Sequence, residues 1–104
     1  MQVDLAFVRQ LRAMFKAGAT VSSLVRAIAE RHQGAAYIDT VVRAYFREAF
    51  HIPMLLIGPE QVVQIARGDE LAIINERIAA RIVNNQPAWD TPLHAAEVAQ
   101  ARAG

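Results

Sequence analysis

The residue types that carry out chemistry are present in this chain, but their spacing specifies no reaction. The histidines, His32, His51 and His94, lie far apart, and no two of them stand at the four-residue spacing that places two metal ligands on one helical face. The chain contains no cysteine, so it has neither a thiolate nucleophile nor a cysteine ligand for a metal. We therefore predict no metal site and no cofactor.

No nucleophile or acid–base pair is indicated either. Ser22 and Ser23 lack the Gly-x-Ser-x-Gly turn that presents a catalytic serine, and we expect them to cap a helix. Asp69 and Glu70 are adjacent, so on a helix they would point about 100° apart rather than toward one substrate. The glycines are isolated and lack the spacing of a phosphate-binding loop. The sequence thus predicts a protein that binds, not an enzyme.

Basic and aromatic side chains are the remaining candidates for binding. Ten of the eleven basic residues are arginine; the first 50 residues carry seven basic and four acidic side chains, and the rest carry four and six. Exposed arginines suit protein interfaces. The single tryptophan, Trp89, is expected either to plug the edge of the core or to anchor a partner. The residues predicted to contact a partner are Arg9, Arg12, Lys16, Arg43, Arg47 and Trp89.

A nucleic-acid interface is the alternative use of these charges. The second and third predicted helices, joined by residues 32–35, suggest a helix-turn-helix, and a stripe of basic residues on the first helix could contact phosphates. However, the third helix is mainly aromatic and aliphatic, which leaves Thr40, Arg43 and Arg47 to reach base edges. With a net charge of only +1, the chain is also less basic than a DNA-binding domain usually is. We therefore favour a protein partner.

Length and composition fit one small domain. The chain has 104 residues, of which 54% are hydrophobic and 20% are charged. The length excludes multidomain enzymes, and the absence of cysteine excludes disulfide scaffolds. The net charge of +1 excludes polybasic tails and acidic mimics of nucleic acid. The N-terminus lacks the pattern of a secretory signal, and the longest apolar run is 52–57, too short to span a bilayer. We expect a cytoplasmic protein without a membrane segment.

The hydrophobic periodicity predicts an all-α domain of five or six short helices covering residues 1–104. Asp4, Asp69 and the residues around Thr20 are expected caps, and Gly18 and Gly68 are expected helix ends. Residues 87–90 are predicted to be an extended connector. The last helix has mainly alanine to bury, so we expect it to be the weakest. The predicted helices span residues 4–17, 22–32, 36–50, 59–67, 69–83 and 92–102.

Three features between residues 20 and 90 resemble small bacterial immunity proteins that are encoded beside secreted polymorphic toxins. They are the aromatic segment Tyr45-Phe46-Arg47-Glu48-Ala49-Phe50, the apolar hinge Ile52-Pro53-Met54-Leu55, and the run from Glu70-Leu71 through Ile78 and Ile82 to Asn85-x-Pro87-x-Trp89-Asp90. The resemblance implies a cytoplasmic protein that binds one cognate toxin domain and masks its active site. It implies no particular site residues, because such interfaces diverge with the toxin.

The leading hypothesis from the sequence is therefore an immunity protein that acts by occlusion. A helix-turn-helix DNA-binding regulator and a self-associating adaptor are the two alternatives, and the sequence leaves the oligomeric state open.

Overall fold

Short polar side chains begin the first two helices, and glycines follow the ends of the first and the fourth. The carboxylate of Asp4 accepts a hydrogen bond from the Ala6 amide, and the Thr20 hydroxyl accepts one from the Ser23 amide, so each satisfies a free donor at a helix start. Gly18 and Gly68 have φ values of 101° and 109°, which L side chains adopt only with strain. The predictions for Asp4, Thr20, Gly18 and Gly68 are confirmed. The prediction that Ser22 and Ser23 cap a helix is wrong, because both lie inside the second helix after the Thr20 cap.

A computed structural model describes residues 3–33, 37–52 and 57–90, and it confirms the all-α fold. Among these residues there is no strand, and no helix is long and apolar enough to cross a membrane. The predicted sixth helix at 92–102 and residues 53–56 of the apolar hinge lie outside the described residues. The helices are α1 (Leu5–Lys16), α2 (Val21–Arg31), α3 (Ile38–Phe50), α4 (Pro59–Ala66), α5 (Ala72–Asn84) and α6 (Gln86–Trp89).

Helix α3 lies at the centre of the core. It packs against α1, α2, α4 and α6, while α2 also packs against α4 and α5. This matches the wide apolar stripe that the sequence predicts for α3, since a helix that contacts several neighbours must be apolar over most of its surface. Its buried residues are Val41, Val42, Tyr45, Phe46, Ala49 and Phe50.

The C-terminal end of α3 is held by side chains from two other helices. The last carbonyls of a helix have no partner within it, so a buried helix end needs donors from elsewhere. Arg12 donates from Nε to the Ala49 carbonyl at 2.7 Å and from Nη2 to the Glu48 carbonyl at 2.9 Å. The Asn85 amide donates to the carbonyls of His51, at 3.0 Å, and of Phe50, at 3.3 Å. The carbonyls of residues 48–51, at the C-terminal end of α3, thus each accept a hydrogen bond from a side chain.

The region around Trp89 differs from the prediction. Residues 86–89 form the short helix α6 instead of an extended connector, and Trp89 is buried, with 1% of its surface exposed. Its indole N–H donates to the Ile82 carbonyl at 2.9 Å, and its ring meets Phe50 edge to face at 5.2 Å. These tertiary contacts turn the chain back onto α5 and α3, which the local sequence does not indicate.

The start of α5 also differs from the prediction. The helix begins at Ala72 with Leu71 as its N-cap, not directly after Asp69. The Asp69 amide bonds back to the Gln64 carbonyl, which closes the end of α4. Ala66, the last residue of α4, is exposed. Residues 69–71 therefore form a short link that separates α4 from α5.

We predict that Arg12→Met lowers the free energy of unfolding by about 2–3 kcal/mol, because it leaves two carbonyls without their charged donor. Arg9→Met is the matched control: Arg9 is exposed on the same helix, so its replacement should change stability by less than about 0.5 kcal/mol. Urea denaturation of the two variants checks this. Equal stability losses would contradict a structural role for Arg12.

Candidate protein-binding surface

The basic residues that the sequence singled out do not form one continuous free surface. Arg9 and Arg47 are exposed, and Arg43 is ion-paired with Asp39 at 2.6 Å. Arg12 is turned inward, with 8% of its surface exposed. Burial, and to a lesser degree the neighbouring charge of Arg9, place the pKa of the Arg12 guanidinium below its ordinary value.

Lys16 and Trp89 are also engaged by the fold. Lys16 pairs with Asp90 at 3.0 Å, which connects the end of α1 to the end of α6. Of the two roles considered for Trp89, the structure shows the core role. Arg12 and Trp89 are both buried and donate to backbone carbonyls within the fold. Arg12 does so because it borders the buried face of α1, beside Leu11.

The geometry of α3 gives little support to the helix-turn-helix alternative. Thr40, Arg43 and Arg47 are exposed on α3, as the sequence predicts, but α3 is packed against four other helices. A recognition helix must project its exposed face into a groove of DNA. Here the exposed strip is narrow and includes the ion pair with Asp39 and the acidic Glu48.

An open groove lies between α4 and the start of α5. We call it the α5 groove; its volume is about 530 Å³. Ile73 projects into solvent at its edge, with 66% of its surface exposed, while Leu71 and Ile74 are half-buried. The groove therefore combines apolar surface with a polar rim. Its lining residues are Gln61, Gln64, Glu70, Leu71, Ala72, Ile73, Ile74 and Arg77.

A hydrogen-bond network fixes the position of this groove. Arg26 of α2 donates to the Ile65 carbonyl at 3.0 Å and pairs with Glu70 at 2.6 Å. The Asn75 amide nitrogen donates to Glu70 at 3.1 Å. The side-chain oxygen Oδ1 of Asn75 accepts a hydrogen bond from the hydroxyl of buried Ser22 at 2.7 Å and another from the backbone amide of Ser22 at 2.9 Å. Helices α4 and α5 are thereby both tied to α2.

Ile73 is not among the residues predicted to contact a partner, although its position in the sequence carries a signal. Leu71, Ile74, Ile78 and Ile82 share the inward face of α5; the first two are half-buried and the last two are buried. Ile73 lies off that face. A large aliphatic residue outside the buried stripe is the feature that marks an exposed apolar site.

One further pair, Glu48 and His51, stands three residues apart, the spacing at which a helix brings two ligands together. His51, however, is the C-cap of α3 with φ of 55°, so it has left the helical path. Across residues 3–33, 37–52 and 57–90, no group of three or more histidine, cysteine, aspartate or glutamate side chains is placed to hold a metal ion.

Comparison with known proteins adds no relative. No family model matches the chain, and neither a curated protein nor a solved structure matches it significantly.

The pKa of Glu70 lies below its ordinary value, chiefly because Arg26 donates a hydrogen bond to it, and then because Asn75 does. A lowered pKa in the folded state contributes stability above the unfolded pKa of about 4.3, and this contribution disappears as pH falls through the folded value. We therefore predict that Glu70→Gln is less stable than wild type at pH 6 and that the difference closes as pH falls toward 2. Urea denaturation across this range measures it, with Glu76→Gln as the control for net charge. A difference that is independent of pH would contradict the prediction.

Proposed function

We propose that this protein is an immunity protein that binds a cognate toxin domain through the α5 groove and occludes its active site. The observation that carries the proposal is the exposed Ile73 at the edge of a groove whose walls are fixed by Arg26, Asn75 and Glu70. Exposed apolar surface with a polar rim is the usual anatomy of a protein-binding site. The resemblance of residues 20–90 to immunity proteins supplies the class of partner.

The chemistry of the groove defines what the partner must present. Leu71 and Ile74 offer an apolar floor and Ile73 an apolar edge, so the partner should insert an aliphatic or aromatic side chain there. Glu70 and Arg77 line the same groove and carry opposite charges. They favour a partner surface with both signs of charge, in keeping with the nearly neutral net charge of the chain.

The proposal is tested by co-expression with the product of the adjacent gene. That product should harm cells when expressed by itself, and this protein should suppress the harm and form a complex at micromolar concentration. A harmless product, or the absence of a complex, would contradict the proposed function.

The groove itself is tested by Ile73→Glu, which we expect to weaken the complex at least tenfold, because it places a charge where an apolar contact forms. Val83→Glu is the matched control: Val83 is an aliphatic residue of the same helix, 55% exposed, and it does not line the groove. Isothermal titration calorimetry compares the two variants, and circular dichroism confirms that both remain folded. Equal affinities would show that the partner binds elsewhere.

A further inference from the structure

The outer face of α4 has no partner among the described residues. Val62 and Ile65 point into the core, where α4 packs against α2 and α3. The residues on the opposite side follow the spacing of one helical face, and all four are exposed: Glu60, Val63, Gln64 and Arg67. With Pro59 they line a shallow depression of about 350 Å³. We call these four residues the α4 outer face.

Two opposite charges lie at equal distances from the centre of this face. Glu60 and Arg67 are seven residues apart, which corresponds to two turns and about 10 Å along the helix. Arg67 remains in helical conformation as the C-cap, so it continues the same face. Within the part of the chain that the structure describes, neither side chain takes part in an ion pair. The face therefore carries one negative end, one positive end and an aliphatic residue, Val63, between them.

We infer that the α4 outer face binds a second copy of itself, related by a two-fold axis that passes between Val63 and Gln64. In this antiparallel arrangement, Glu60 of each copy faces Arg67 of the other, and Val63 of each lies over Gln64 of the other. A two-fold interface requires a self-complementary surface, and the charge order on α4 meets that requirement. The dipoles of the two antiparallel helices also attract each other.

The interface is small, because α4 has only eight residues. It falls in the class below roughly 1,200 Å² of total buried surface, which is typical of transient contacts. We therefore expect a weak dimer with a dissociation constant on the order of 100 µM. This contact differs from the proposed toxin site, since it uses the outer face of α4 and the toxin site uses the α5 groove; Gln64 is the residue that lines both.

Charge reversal provides a sharp test by sedimentation equilibrium over a concentration series. Glu60→Arg and Arg67→Glu each create two like-charged contacts in the homodimer, so each variant should dimerise at least fivefold more weakly than wild type. When the two variants are mixed, their charges become complementary again, and a heterodimer with affinity close to that of wild type should form. The double variant Glu60→Arg/Arg67→Glu should likewise dimerise like wild type.

Glu76→Arg is the matched control, because it makes the same change at an exposed glutamate outside the α4 outer face; it should leave the dimer unchanged. Circular dichroism checks that each variant is folded. A monomeric wild type at millimolar concentration overturns the inference even if a variant fails to fold. Dimerisation that is insensitive to both reversals, or a mixture that does not recover, also overturns it. Neither outcome depends on co-expression with the adjacent gene product, so this inference and the proposed function can fail independently.

Discussion

The structure depends on satisfying the carbonyl groups at the buried end of α3. That helix must be central because its surface is apolar on most sides, and its C-terminal end is therefore partly buried, so its carbonyls need hydrogen-bond donors from the protein. Arg12 from α1 and Asn85 from the α5–α6 junction supply them instead. Because both donors are fixed in place, α1 and the end of α5 are positioned relative to the core, and Trp89 fills the space between them.

The parts of the fold that the sequence predicts are those that local physics determines. The α1 and α2 boundaries follow from Asp4, Thr20 and Gly18, each of which acts on neighbouring residues. The errors fall where distant contacts decide. Residues 86–89 become helical as Trp89 reaches the Ile82 carbonyl and Phe50, and α5 starts late because residue 69 completes the turn after α4. Neither contact leaves a periodic trace in the sequence.

The candidate site shows the same limit in a different form. Arginines on one helix look alike in sequence, yet Arg9 is exposed while Arg12 enters the core three residues later. Only the three-dimensional position of the α3 carbonyls distinguishes them. Ile73 is the opposite case: its departure from the buried stripe of α5 is visible in the sequence. What the sequence lacks is the groove beside it, which exists because α4 and α5 are both tied to α2.

The two surfaces also follow from how α4 and α5 are held. Each helix packs its inner face on α2, and the link at residues 69–71 keeps their outer faces apart.

Gln64 borders both the α5 groove and the α4 outer face. In the proposed symmetric pair, each copy places its own α5 groove beside the shared α4 contact, so a partner bound to one groove would approach the second copy as well. If the α4 contact is as weak as proposed, a partner that touches both copies would stabilise the pair by mass action, whereas one that covers Gln64 would separate it. Whether the bound partner covers Gln64 therefore decides whether partner binding and self-association support or oppose each other.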